Sequence, residues 1–287
     1  MKPVFTSHNI KLDDGSYTRP DAPDGFFAQG SHADLLYWSE SVKNMLNLIY
    51  PQKNKSKISL VDLGCLEGAY SVEFARMGFN VTGMEVRDSN FACCQYVKDN
   101  CNLPNLKFVQ DNVQNISDYD SFDISYCSGL LYHLHNPREF LEKLSAKTKK
   151  VLILQTHFSL ENLDPKGFYN GALSENTFHE GMFGRWFSDR PENLSKEHLD
   201  EARWASYDEP KSFWIDKNNL IALLKLLGYN TILEQYDHFE EQVTTKRSSQ
   251  CHMEFTSANI SEFLRNEYPR YMRGTLDRKS TRLNSSH

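Results

Sequence analysis

The sequence predicts an α/β fold: a doubly wound, mainly parallel seven-stranded sheet (Rossmann-like) with an N-terminal helical extension and an aromatic-rich cap insertion. Two observations carry that reading. Short apolar, β-branched runs alternate with helical stretches from residue 58 onward, and those helices are too short to be solenoid repeats. Ile58–Leu63 is a buried-strand run that stops at Gly64. Gly68–Met77 follows as a helix closed by Gly78, and Val81–Met84 is a second strand ending at Glu85. A helix from Ser89 to Asn100 sets Phe91, Cys94, Val97 and Cys101 along one face. Leu106–Val109 and Phe122–Cys127 read as strands three and four. Asn136-Pro137-Arg138-Glu139 then has the form of an N-cap, a first-turn proline and an acid at the third helical position. That helix runs to Lys147, and Lys150–Gln155 is the fifth strand. Asp216 caps a later helix with Leu220, Leu223, Leu224 and Leu227 at i, i+3, i+4 and i+7, and Gly228 ends it. Thr231–Gln235 and Cys251–Phe255 are expected to supply the last two strands.

The chain divides accordingly. Residues 1–57 form an extension with an amphipathic helix near Ala33–Tyr50, whose apolar stripe is Val42, Met45, Leu46 and Ile49. Residues 58–156 are the core, and 157–215 are an aromatic-rich insertion, too long for an ordinary connection and read as a cap over the substrate. Residues 216–276 complete the core. The segment 277–287 (DRKSTRLNSSH) reads as the translation of a sequencing adaptor, so it is expected to be disordered and is set aside.

Composition excludes several classes. The 287 residues carry 32 Lys+Arg against 38 Asp+Glu, a net charge of −6, which disfavours tight nonspecific binding to nucleic acid. No apolar stretch approaches the roughly 20 residues of a membrane span, and Met1–Asp14 lacks the apolar core of an export signal, so a cytoplasmic protein is expected. The six cysteines contain no C-x-x-C pair, so they read as reduced thiols rather than zinc ligands, and no metal is expected.

The chemistry gathers at the strand ends. Asp62-Leu63-Gly64-Cys65-Leu66-Glu67-Gly68 has the spacing G-x-x-x-G, which is neither the G-x-G-x-x-G of a pyrophosphate cradle nor a triphosphate loop. Such a loop suits a nucleoside without phosphates. Glu85, at the end of strand two, can accept from both ribose hydroxyls and would repel a 2′-phosphate. Asp111, at the end of strand three, is placed to accept from an adenine amino group.

VDLGCLEGAYSVEFA, VTGMEVRD, FVQDNV and FDISYCSGLLYHL together resemble the class I S-adenosylmethionine (SAM) methyltransferases over residues 58–156. The resemblance implies SAM as cofactor. Asp62 and the loop Gly64, Cys65 and Gly68 would hold its methionine part, and Glu85 the ribose. Asp111 and Asn112 would face the adenine, with Ser128 and Gly129 beneath the sulfonium. The sulfonium is an activated methyl donor, so positioning supplies most of the acceleration, and an oxygen or amine acceptor benefits from a base tuned toward neutral pH. The catalytic candidates are Tyr132 and His133 in GLLYHL and His157 past strand five. His133 is equally readable as a capping residue, and Tyr132 as a wall of the pocket.

His8–Thr18 and GLLYHLHNPREFL are also similar to parts of the transfer-RNA wobble-uridine methyl/carboxymethyl-transferase group, which implies an active-site role for Tyr132. Against an RNA substrate stand the acidic balance and an aromatic, not basic, insertion. The acceptor expected is therefore a small molecule or glycan, with an RNA-modifying enzyme as the alternative. A nicotinamide-dependent Rossmann protein is disfavoured by the missing G-x-G-x-x-G.

Overall fold

The structure, a computed structural model, describes residues 2–20, 37–159, 173–235 and 272–277. After α1 (Tyr37–Ile49) the chain alternates β1 (Ser59–Leu63), α2 (Ala69–Arg76), β2 (Asn80–Glu85), α3 (Asp88–Asn100), β3 (Leu106–Gln110), β4 (Phe122–Ser128), α4 (Pro137–Lys147) and β5 (Thr148–Thr156). A three-stranded antiparallel sheet follows, from β6 (Thr177–His179), β7 (Met182–Ser188) and β8 (Lys211–Ile215), with α5 (Lys196–Glu201) between the last two. The core resumes with α6 (Lys217–Leu226), β9 (Thr231–Gln235) and β10 (Met272–Asp277).

The main sheet has the order β3-β2-β1-β4-β5-β10-β9, with β1 to β5 parallel and β10 antiparallel to both its neighbours. Strand alternation sorts its side chains into two apolar layers. Leu60, Val81, Ile124, Val151 and Ile153 pack with α1, α2 and α3, whereas Val61, Leu63, Met84, Leu152 and Leu154 pack with α4 and α6. Burying each such side chain stabilises the fold by about 1.5–3 kcal/mol, so strands covered on both faces read as continuous apolar runs. Among the described residues no helix is long and apolar enough to cross a membrane.

Three local expectations are corrected. In α1, Val42 and Leu46 are buried, but Ile49 is 38% exposed and Tyr50 fills the core instead. In α3 the buried face is Asn90, Cys93, Cys94 and Val97; Phe91 is only half-buried. Asn136 is the N-cap residue of α4, but its side chain makes no cap bond. Its Oδ1 lies 3.0 Å from His179 Nε2, and the Glu180 carboxylate accepts from the N–H of Arg138 (2.9 Å) and Glu139 (2.8 Å) in its place. Among the described residues the last strand is β10, ending at Asp277, the first residue of the segment set aside; the expected strand Cys251–Phe255 and residues 278–287 lie outside the described residues. Asp216 caps α6 as its sequence predicts, accepting from Asn218 N at 2.9 Å.

Gly68 joins the loop after β1 to α2 at φ +88°, and a Cβ there would lie 2.7 Å from Phe108 Cζ. Gly68→Ala is expected to lower stability by about 1–3 kcal/mol through left-handed strain and overpacking, read by urea denaturation.

Candidate active site

The strand order reverses between β1 and β4, and the crevice of a doubly wound sheet opens at the carboxyl ends of such a pair. The loop leaving β1 is a tight bend in which Gly64 (φ +65°), Leu66 (φ +54°) and Gly68 (φ +88°) all adopt left-handed backbone. For Leu66 that conformation is strained. It is held by three bonds: Cys65 N donates to Met84 O (2.9 Å), Gly68 N to Cys65 O (2.8 Å), and Leu66 N to Glu85 Oε2 (3.0 Å). Cys65 thus uses its backbone groups inside the bend, and its thiol lies 3.8 Å from that of Cys94. These contacts fix the shape of the loop around Cys65.

Two acids converge behind this bend. Asp62 is buried and accepts from Ser71 Oγ at 2.6 Å; loss of water pushes its carboxyl up to about 7, and the Glu85 charge adds to the shift. Glu85, at the tip of β2, is also buried, which raises its carboxyl even though the N–H groups of Arg87, Leu66 and Val86 favour the charged form. Its oxygens accept from Arg87 N (2.9 Å), Val86 N (3.0 Å) and Leu66 N (3.0 Å), so one carboxylate ties the ends of β1 and β2 together.

At the end of β3, Asp111 accepts from Asn112 N (2.7 Å), Asn115 Nδ2 (2.7 Å) and Tyr119 Oη (2.6 Å), and the Tyr119 bond leads in holding its carboxyl below the usual range. Asn112 caps the turn over Val113–Asp118 by accepting from Gln114 N (3.0 Å) and donates to Asp208 in the cap (2.8 Å). Both residues sit at the predicted strand end, with much of their hydrogen-bonding capacity committed locally.

At the end of β4, Ser128 Oγ donates to Gln155 Oε1 (2.6 Å) and Gly129 N to Gln155 O (3.1 Å). Gly129 has φ +71°, and a Cβ on it would meet only the Tyr132 hydroxyl, at 3.6 Å. From Tyr132 an aromatic column runs outward: His157 at 4.0 Å between centroids, Trp214 stacked on His157 at 4.7 Å, and Phe187 on Trp214 at 4.8 Å. His157 is buried in this column, where it braces Tyr132. The His133 ring lies 4.3 Å from that of Tyr132, and its Nδ1 is 2.5 Å from Asp189 Oδ2.

Three site-shaping residues escape sequence reasoning. Glu67, wholly buried in the loop, accepts from Thr6 N (2.6 Å), Ser7 N (3.1 Å) and His8 N (2.6 Å), so the N-terminal segment is strapped over the bend. The strap is tied to the cap as well, through Trp204 Nε1 to Ser7 Oγ (2.6 Å) and Arg203 to Val4 O (2.7 Å). The buried Arg87 guanidinium donates to the carbonyls of Leu199 and Ala205 and lies 5.1 Å over the Tyr207 ring, which fastens the cap to β2. Asp189 comes from the end of β7. Among the described residues no group of three His, Cys, Asp or Glu side chains is placed to hold a metal ion.

Comparison with known proteins follows the same outline. The profile of a family described as a methyltransferase domain matches residues 35–234. The ubiquinone biosynthesis O-methyltransferase of Rickettsia typhi is 25% identical over 138 residues, 48% of this chain and 50% of that protein. The corresponding enzyme of Rickettsia felis is 27% identical over 144 residues, 50% and 53%. The chain therefore spans about half the length of these curated relatives. Among solved structures, the N-terminal domain of EvdMO1 in the presence of SAH and D-fucose superposes with a TM-score of 0.57 at 18% identity, over 90% of each chain, a likeness of fold.

Proposed function

Because this chain belongs to the methyltransferase-domain family, we propose that it is a SAM-dependent methyltransferase acting on a small-molecule or glycan acceptor. The observation that carries the reading is the Glu85 carboxylate at the tip of β2, bonded to the glycine bend at Leu66 N. A buried acid there suits a neutral diol, and the neighbouring Arg87 is turned away to cap carbonyls, so no cation at this tip awaits a phosphate. The open face of Gly129 against Tyr132 fits a close-lying thioether centre.

In this reading Asp62 and the bend of Gly64 and Gly68 hold the amino-acid part of SAM. Glu85 holds the ribose, Asp111 and Asn112 the adenine, and Ser128 and Gly129 lie under the sulfonium. Bound there, SAM supplies an activated methyl group. The chain's own residues position the acceptor: His157 and Trp214 are buried inside the column, and its half-buried end rings, Tyr132 and Phe187, are the ones a flat ring or a sugar would pack against. His133 and Tyr132 are the groups nearest to take a proton. The names of the rickettsial relatives agree with a small acceptor.

Isothermal calorimetry is expected to detect SAM binding and no binding of nicotinamide dinucleotide; the reverse pattern would sink the reading. With methyl-labelled SAM and a cell extract, label is expected in a ribonuclease-resistant product, and its loss on ribonuclease treatment would make the acceptor RNA.

A further inference from the structure

We infer that Asp189 is the positioning residue of a general base, His133, and that the methyl acceptor is a ring-borne hydroxyl. The inference rests on the proposed methyl transfer and adds to it the acceptor atom and a residue supplied by the cap.

The geometry is specific. Asp189 Oδ2 lies 2.5 Å from His133 Nδ1, with side-chain exposures of 5% and 19%. A carboxylate only accepts, so the neutral imidazole must carry its proton on Nδ1, leaving Nε2 as the acceptor. Among the described residues Nε2 of His133 meets no hydrogen-bond partner. The base stands on the short turn Leu131–His133 that follows β4, next to Tyr132, whose hydroxyl lies against Gly129.

The Asp189 corner is itself held in place. Its N–H donates to Pro210 O (3.0 Å), and the next residue, Arg190, donates to the carbonyls of Ser206 (2.9 Å), Tyr207 (3.2 Å) and Asp208 (3.0 Å). Because Asp208 also accepts from Asn112 Nδ2, the cap joins the tip of β3 to the partner of the base.

A base held in one tautomer matters most for an acceptor that keeps its proton at neutral pH. A hydroxyl is such an acceptor, whereas an amine reaches its neutral form by losing a proton to water. The acceptor hydroxyl gives its proton to His133 Nε2 as its oxygen bonds to the methyl carbon and the C–S bond of the sulfonium breaks. A methyl ether, a neutral thioether and an imidazolium facing Asp189 result. Tyr132, the half-buried end of the aromatic column and the ring next to the base, is the surface against which a phenol or a sugar ring would lie.

The test combines two readouts on the full chain. Nitrogen NMR of histidine-labelled, unliganded protein at alkaline pH is expected to show His133 protonated on Nδ1, with Asp189→Asn shifting the proton toward Nε2; a wild-type ring protonated on Nε2 would overturn the inference. In transfer assays with catechol and D-fucose as hydroxyl probes and aniline as the amine probe, label is expected on a hydroxyl probe. Catechol labelling would identify a phenolic acceptor, and D-fucose labelling a sugar. Asp189→Asn should lower kcat roughly 10- to 1,000-fold with KM and SAM affinity little changed, and Asp189→Glu should restore part of the loss. Labelled aniline with bare hydroxyl probes, or an unchanged kcat in Asp189→Asn, would overturn it. Failure of the wild type to bind SAM would instead remove the parent reading, leaving the His133 tautomer as a separate result.

Discussion

SAM affinity is expected to fall by about tenfold for each pH unit below about 7, because Asp62 must be charged to hold the amino group of the ligand. In the free protein burial holds this carboxyl protonated up to about 7, so at lower pH the ligand must first expel a proton. Burial raises Glu85 in the same direction. The sign for stability is opposite. The native carboxyl binds its proton more tightly than the unfolded one, whose ordinary value is 3.8, so stability is greatest below 3.8 and declines as pH rises toward about 7. The decline amounts to about 4 kcal/mol at roughly 1.4 kcal/mol per unit. Asp62→Asn keeps an acceptor for Ser71 Oγ and should flatten both dependences, leaving only the part that Glu85 contributes, while binding SAM weakly at every pH. Calorimetric titrations between pH 5 and 8 measure the first effect, and urea melts over a wider range the second. A flat affinity profile in the wild type would show that Asp62 is not the amine partner.

The strap gives the largest stability effect. Glu67→Ala is expected to destabilise the protein by about 3–5 kcal/mol, since it leaves the N–H groups of Thr6, Ser7 and His8 buried without their acceptor and opens a cavity under them. His8 compounds the loss: its Nδ1 accepts from Ala69 N at 3.3 Å, the first residue of α2, and desolvation keeps the ring from charging. Glu67→Gln retains one acceptor oxygen and should cost less than Glu67→Ala. Urea denaturation of the two variants ranks them, and equal stability of Glu67→Ala and wild type would mean that the strap is not held by this carboxylate.

What could be read from the sequence depended on how local the physics was. The strand tips were legible because a buried parallel strand must end where its apolar run ends, which put Asp62, Gly64, Glu85 and Asp111 at one edge. Asp216 was legible because a cap acts within three residues of itself. The Asn136 cap misled for the opposite reason: a good local acceptor was displaced by Glu180, which arrives from 41–42 residues away on the β6–β7 turn. Asp189, the Glu67 strap and the Arg87 latch share that character, with partners 56, 59–61 and 112–118 residues distant in the chain. An acid inside a glycine loop looks like a ligand contact, and only the folded position of residues 6–8 shows what Glu67 holds. In α3 the expected Cys94, Val97 and Cys101 are buried, but Phe91 is not, and Asn90 and Cys93 widen the covered face because the strap packs there too; Cys93, for example, donates to Val4 O at 3.4 Å.

The central claim is that a sulfonium nucleoside bridges the carboxyl tips of β1, β2 and β4. A crystal structure of the complex with S-adenosylhomocysteine addresses it most directly. The ribose hydroxyls should be found on the Glu85 carboxylate and the thioether sulfur beside Gly129, with the strap and cap closed over them. A nucleoside bound elsewhere, or a saturated crystal in which Leu66 and residues 6–8 fill that space, would contradict it.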